Sequence, residues 1–272
     1  MDEPTAVGLI GAGSLAQALV RGLLASGFPA GGLWVTNRTD PVRLQRFAAV
    51  GVRTGDKAAV TAAADLLVLL VKPKDAAATL AELRPLVRPG HRILSCMAGI
   101  STAFIEQALG GEPAVLRAMP NVAAAVRASA TALATGRFAN ERDAAAAGTL
   151  LRAVGDVVRV PEEALHAATA VAGSGPAYVF LLMEAMAEAA QGVGLPQAIA
   201  GQLVGQTLLG AARLAAESGQ SPAELREAVT SPGGTTMAGL AVLREAGFRE
   251  ALVAAVGAAE RRSRELGRQW QS

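Results

Sequence analysis

Short apolar runs alternate with helix-like stretches through the first 160 residues, and this alternation constrains the fold more than any other feature. The runs Ala6–Ile10, Leu33–Thr36, Leu66–Val71, Arg92–Met97 and Val115–Met119 are each followed by a turn and a stretch of helical character. Runs of four to six residues separated by helices read as buried parallel strands in βαβ units. A further pair, Ala130–Thr135 and Val157–Val160, flanks an alanine-rich helix at about 140–154. The expected architecture is an open, doubly wound α/β sheet.

After Pro161 no further strand-like run occurs, and helices are expected over about 162–172, 176–193, 196–217, 221–229, 236–246 and 248–268. Gly194 followed by Pro196 closes one helix and opens the next, and Ser221-Pro222 puts proline at a first helical position. No linker separates the halves, so the chain divides at 161/162 into an α/β domain (1–161) and an all-helical domain (162–272). The segment Tyr178–Met186 is apolar almost all round, and such a helix needs cover on every side. In so small a helical domain the simplest cover is a second subunit, so a homodimer is expected.

Composition narrows the partners. Hydrophobic residues make up 51% of the chain and charged residues 18%, which excludes an extended disordered protein. The formal net charge is only +2, and no basic stripe with interleaved aromatics is present, so nucleic acid is not an expected partner. The run Ala167–Met183 carries no charge but is interrupted by Gly173-Ser174-Gly175-Pro176. Read as a turn between two buried helices, that break argues against a membrane span, which needs roughly 20 apolar residues. A single cysteine, Cys96, excludes an internal disulfide or a cysteine-rich metal cluster and suits a reducing cytoplasm.

Gly11-Ala12-Gly13-Ser14-Leu15-Ala16 follows the first strand and opens a helix. This is the G-x-G-x-x-A form of the dinucleotide fingerprint. Its first glycine allows the tight turn, its second lets backbone approach the pyrophosphate, and the helix N-terminus stabilises the phosphate charge. The second strand ends in Thr36-Asn37-Arg38, with no acid until Asp40. An acid there would bond a ribose 2′-hydroxyl, whereas a guanidinium pairs with a 2′-phosphate, so NADPH is expected over NADH. Val71-Lys72-Pro73 and Ser95-Cys96-Met97-Ala98-Gly99 end two further strands, where ligands sit in such sheets. Their small residues leave room for a nicotinamide ring, and Cys96 reads as a buried apolar residue rather than a nucleophile.

Val229-Thr230-Ser231-Pro232-Gly233-Gly234-Thr235-Thr236 joins two helices. Its two glycines, hydroxyls and helix N-terminus make a good receptor for a small carboxylate, beyond what an ordinary cap needs.

Taken together, Gly8–Leu15, Val71-Lys72-Pro73, Arg117-Ala118-Met119-Pro120-Asn121, Gly173-Ser174-Gly175-Pro176-Ala177-Tyr178 and Val229–Thr236 resemble pyrroline-5-carboxylate reductases over nearly the whole chain. The resemblance implies a Rossmann-like NADP-binding domain and a helical domain that dimerises, with dimers assembling further into decamers. It implies reduction of the C=N bond of 1-pyrroline-5-carboxylate to L-proline, the last step of proline biosynthesis. By the same resemblance Ile10, Gly11, Ala12, Gly13, Ser14, Leu15, Asn37, Arg38, Asp56, Val71, Lys72, Pro73, Cys96, Met97 and Ala98 line the cofactor site. Glu162, Gly233, Gly234, Thr235 and Thr236 would hold substrate, with Thr236 nearest the ring nitrogen and the site drawn from both subunits. Four positions depart from the family's usual residues: Asp56, Val122, His166 and Ser221.

Two other readings share the fingerprint. β-Hydroxyacid dehydrogenases resemble one another in using a lysine from the helical domain, and this chain has no lysine after Lys74. A non-catalytic NADP-binding protein would need neither the Gly-Gly-Thr-Thr turn nor Gly-Ser-Gly-Pro-Ala-Tyr. A reductase of another cyclic imine, such as the six-membered piperideine carboxylate, differs in pocket volume and stays open.

Overall fold

A computed structural model describes residues 5–38 and 41–269. The order of elements is β1 (Val7–Ile10), α1 (Ser14–Ala25), β2 (Leu33–Thr36), α2 (Pro41–Ala48), β3 (Arg53–Thr54), α3 (Lys57–Ala63), β4 (Leu66–Leu69) and α4 (Ala76–Leu83). Next come β5 (Arg92–Ser95), α5 (Thr102–Leu109), β6 (Ala114–Met119), β7 (Ser129–Thr135), α6 (Glu141–Arg152) and β8 (Gly155–Arg159). The strands form one sheet in the order β3-β2-β1-β4-β5-β6-β7-β8. Every pairing is parallel except β6 with β7. The two-residue strand β3 carries no apolar run, so periodicity did not anticipate it.

Continuous apolar runs are what a sheet covered on both faces requires. All four residues of β1 and of β4 are buried. Alternate side chains feed two cores. Val7, Leu9, Leu66 and Val68 join Leu19, Leu23 and Leu150 on one face, while Ile10, Leu67 and Leu69 join Val60, Leu80 and Ile105 on the other. Val7 lies opposite both Leu33 and Leu66, so the strand order reverses at β1. A crevice opens beyond the carboxyl ends of β1 and β4, as at other such switch points.

Contact density divides the chain into residues 1–176 with 258–272, and residues 177–257. This division differs from the compositional one at 161/162, because α7 (Leu165–Ala168) and the end of α12 (Phe248–Gln269) count with the sheet. His166 Nδ1 lies 2.9 Å from Ser263 Oγ.

The expected turn at Gly173-Ser174-Gly175-Pro176 is corrected. After α7 the backbone widens into a π-turn, Thr169–Gly173, and continues into α8 (Gly175–Gly192) with Ser174 still in helical geometry. Proline is tolerated there because it sits in the first turn of α8, where the wider turn accommodates it. The break therefore does not interrupt the run, and among the described residues Glu162–Gly192 is long and apolar enough to cross a membrane.

The second unit is built from α8, α9 (Gln197–Glu217), α10 (Pro222–Ala228), α11 (Thr235–Glu245) and α12. Within 177–257 only Ala200 and Val204 are buried. Large apolar side chains stand open, among them Phe180, Leu181, Leu203, Val242 and Val253. Helices with so much bare apolar surface need a partner surface.

Candidate functional site

A cavity of about 580 Å³ lies beyond the carboxyl ends of β1, β2 and β4. Gly11, at φ +123°, turns the chain out of β1, and a Cβ there would fall 2.8 Å from the Leu70 carbonyl oxygen. Only glycine fits that conformation and that approach. Gly13 meets the opposite situation, since a Cβ added to it would touch nothing within 4 Å and would project into open space. Gly13 is the N-cap of α1 and supplies no side-chain cap, so the first-turn N–H groups of α1 are left for a ligand. An open space before an uncapped helix N-terminus fits a dinucleotide pyrophosphate.

Of the residues expected at the cofactor, Ile10, Gly11, Ala12, Gly13, Asn37, Arg38, Val71 and Lys72 line this cavity. Ser14 and Leu15 begin α1 behind it, and Pro73 starts the 3-10 turn that carries Lys74 and Asp75. An adjoining recess shares Thr36, Asn37, Arg38 and Lys57 with it and is also lined by Asp56. Asp56 is the N-cap of α3, where its carboxylate accepts from Ala59 N at 2.8 Å. Arg38 is half exposed and lies 3.6 Å from Asp75. Asp40 lies outside the described residues.

Sequence reasoning missed Arg43, Lys57 and Lys74, which also line the cavity. A signal was present: the chain has three lysines, Lys57, Lys72 and Lys74, and all three face this one cavity. In a chain that otherwise uses arginine, such clustering marks an anion site. Lys57 also pairs with Glu82, and its hydrogen bond holds the Glu82 carboxyl below the usual range.

Cys96 and Met97 follow β5 with buried side chains and do not line the cavity. Burial pushes the Cys96 thiol up to about 12, so it stays neutral and is no nucleophile. Ala98 packs instead beside Met119, Ala132, Ala134 and Leu165.

Glu162 is committed within the first unit. Its Oε1 accepts from Thr102 N at 2.8 Å and from Arg117 Nη1 at 2.8 Å, and its Oε2 accepts from Thr102 Oγ1 at 2.6 Å. Burial raises this carboxyl's pKa, but the bonds from Arg117 and Thr102 outweigh that and hold it below the usual carboxylate range. Both oxygens thus accept bonds that tie β6, α5 and the Glu162 turn together, a role in the fold that stands beside the one the resemblance implies.

In the second unit, Gly233 at φ +69° and the bond from Gly234 N to Ser231 O at 3.0 Å shape the turn before α11. Gly234 is the N-cap of α11 and, like Gly13, supplies no side-chain cap. Gly233, Thr235 and Thr236 are exposed, so the turn presents free backbone donors and two hydroxyls outward.

The unusual positions have structural roles. Ser221 caps α10 in a capping box with Glu224, and Val122 opens the 3-10 turn Val122–Val126. Neither histidine is free. Nδ1 of His91 accepts from Arg88 N at 3.0 Å, and His166 is bonded to Ser263. The pKa of each is lowered by burial first, and then by Arg88 for His91 and by Arg117 and Arg264 for His166.

Comparison with known proteins gives two family matches. The family described as pyrroline-5-carboxylate reductase dimerisation matches residues 162–266, and the one described as NADP oxidoreductase coenzyme F420-dependent matches residues 6–99. The chain is 40% identical over 267 residues to pyrroline-5-carboxylate reductase 2 of Bacillus subtilis (strain 168), covering 97% of this chain and 96% of the relative. A solved pyrroline-5-carboxylate reductase of Coxiella burnetii superposes with a TM-score of 0.88 at 39% identity, covering 96% of this chain and 98% of the other. The fold is shared with a Plasmodium falciparum pyrroline carboxylate reductase solved with NADP bound, at a TM-score of 0.87 and 24% identity over 97% and 98% of the two chains.

Proposed function

The chain belongs to the pyrroline-5-carboxylate reductase family, and from that premise we propose that it reduces 1-pyrroline-5-carboxylate to L-proline with NADPH. When bound, the cofactor supplies a hydride from its nicotinamide ring. The substrate's C=N carbon gains that hydride, and its nitrogen, protonated as the iminium, becomes the amine of proline. A protonated imine is already electrophilic, so the protein's tasks are positioning and anion binding.

The turn at Gly11–Gly13 and the start of α1 take the pyrophosphate. Arg38, with Lys57 and Arg43 beside it, faces the 2′-phosphate and favours NADPH over NADH. The backbone donors at Gly233, Thr235 and Thr236 hold the substrate carboxylate in the turn that the Gly234 bond shapes, and the Thr236 hydroxyl bonds the ring nitrogen. Glu162 supports the site indirectly by fixing Arg117 and the start of α5. Cys96, Met97 and Ala98, beyond the end of β5, would border the nicotinamide end by the family resemblance rather than through that cavity.

One observation carries this reading: the uncapped N-terminus of α11 lies in a chain whose two histidines are held in structural bonds and which has no lysine beyond residue 74. A chain with no lysine in its helical half and both histidines so bonded fits imine reduction, which needs little acid–base power, better than alcohol oxidation. In the division read from composition, 1–161 binds the cofactor and 162–272 binds substrate and dimerises. The exposed apolar faces of α8 and α9 are covered by a second copy rather than by lipid, and dimers associate into decamers. The buried Cys96 thiol suits a reducing compartment, and we place the enzyme in the cytoplasm.

The test follows NADPH oxidation at 340 nm with pyrroline-5-carboxylate and, in parallel, with the piperideine analogue. Turnover of the five-membered imine that falls at least tenfold in Thr236→Ala supports the assignment. Turnover of neither imine sinks it, and preference for the larger ring shifts the substrate.

A further inference from the structure

Two sequence motifs, Met119-Pro120-Asn121 and Gly173-Ser174-Gly175-Pro176, take no part in the cofactor cavity, yet the structure joins them by one hydrogen bond. In an uninterrupted α-helix the residue at 176 would donate its N–H to the carbonyl of Ala172, four residues back. Pro176 has no N–H to give. Asn121 Nδ2 donates to the Ala172 oxygen instead, at 2.9 Å. At the same place Ser174 N reaches five residues back to Thr169 O at 2.8 Å, and the Thr169 hydroxyl donates to Leu165 O at 2.6 Å. These bonds make the π-turn.

Asn121 is held firmly for this task, its other amide atom capping the 3-10 turn Val122–Val126. It is only 8% exposed. Its Oδ1 accepts from Ala123 N at 3.0 Å, its backbone N donates to Ser129 Oγ at 3.0 Å, and its carbonyl accepts from Ala124 N at 3.1 Å. An N–H at one end of the amide and a carbonyl at the other admit only one orientation of the side chain. Gly173 lies beside Met119, where an added Cβ would come 3.7 Å from Cγ. The division of the chain into two compact units falls immediately after Pro176.

We propose that Asn121 is a positioning residue for the reductase reaction: its amide replaces the donor that Pro176 lacks, holds the π-turn open, and so fixes the helical phase of α8. The inference rests on the reductase reading above. If the π-turn relaxed to α geometry, every residue after it would rotate by about 100° around the helix axis. The substrate turn lies downstream of that helix and the cofactor cradle upstream, so a change of phase falls on hydride transfer and leaves cofactor binding alone.

Asn121→Asp tests this. The carboxylate keeps the acceptor for Ala123 N but turns an oxygen toward the Ala172 carbonyl. With pyrroline-5-carboxylate, kcat should fall roughly 10- to 100-fold, while the Kd for NADPH, read by protein fluorescence, stays within about twofold. Adding Pro176→Ala returns an N–H to Ala172, and the double variant should recover most of the lost kcat when compared with Pro176→Ala alone. If Asn121→Asp does not fold, Asn121→Ser carries the same expectation, since it loses the reach to Ala172 without adding charge. Unchanged kcat, a parallel loss of NADPH affinity, or no recovery in the double variant would each overturn the proposal. A wild-type protein that fails to reduce the imine sinks the reductase reading itself, whereas an active wild type with an unaffected Asn121→Asp sinks only this inference.

Discussion

Replacing Glu162 separates a residue that holds substrate from one that holds the frame. Its partner Arg117 has a side chain only 5% exposed, against 23% for Glu162. Removing one member of a buried pair costs about 3–5 kcal/mol, mostly because the other charge is left uncompensated. Water can reach the Glu162 side, so Glu162→Ala belongs at the lower end, about 3 kcal/mol. In a chain of this size that lowers Tm by roughly 6–12 °C. Glu162→Gln keeps an oxygen for Thr102 N and Arg117 and presents an N–H to the Thr102 hydroxyl, so it costs only about 1–2 kcal/mol.

The carboxyl's pKa is also depressed in the folded protein, because the bonds from Arg117 and Thr102 outweigh burial. Such a group stabilises the fold above its ordinary value of 4.5, and that contribution is lost as pH falls through the lower folded value. Scanning calorimetry from pH 7 down to about 3 should therefore show an acid-side fall in wild-type Tm that is shallower in Glu162→Gln. The parallel assay is KM for pyrroline-5-carboxylate. A raised KM in Glu162→Gln with wild-type Tm and an unaltered acid limb would refute this argument and return Glu162 to the substrate.

The remaining expectations probe the other half of the site and the surface. Gly13→Ala should leave Tm within about 1 °C of wild type, because its Cβ meets open space, yet raise the KM for NADPH at least about tenfold by filling the pyrophosphate approach; Gly11→Ala should lower Tm, since both its φ and the Leu70 oxygen oppose a Cβ. Arg38→Ser should reduce the NADPH/NADH ratio of kcat/KM by roughly 10- to 100-fold, the value of a charge-assisted bond, and an unchanged ratio would move 2′-phosphate recognition to Lys57 and Arg43. Light scattering in detergent-free buffer should give twice the chain mass or a multiple of it, and Leu181→Asp on the exposed face of α8 should shift it toward the monomer; a wild-type monomer would refute the cover by a second copy.

The parts of the fold legible in the sequence are those whose signal is local. Four buried residues in a row at Val7–Ile10 and Leu66–Leu69 have one economical explanation, a strand covered on both faces. The Gly11–Gly13 turn was legible because backbone conformation and ligand approach demand the same small residue there. The bonding of Glu162 was not legible, because an unpaired carboxylate and one held by Arg117, 45 residues upstream, look alike in a sequence. Gly173–Pro176 was misread as a turn for the same reason. Glycine and proline ordinarily end a helix, but here the proline falls in the first turn of α8 and a donor from outside the segment satisfies the Ala172 carbonyl. That donor, Asn121, lies 51 residues from the carbonyl it satisfies. What the sequence hid at both places has one physical origin, buried polar groups satisfied from far along the chain. Thr236 has the converse problem: among the described residues its hydroxyl makes no hydrogen bond, which is the condition that the proposed substrate contact requires. On the reading proposed above, the exposed Gly233–Thr236 turn and the bare apolar faces around Phe180 and Leu181 are two aspects of one circumstance, a catalytic unit larger than one copy of this chain.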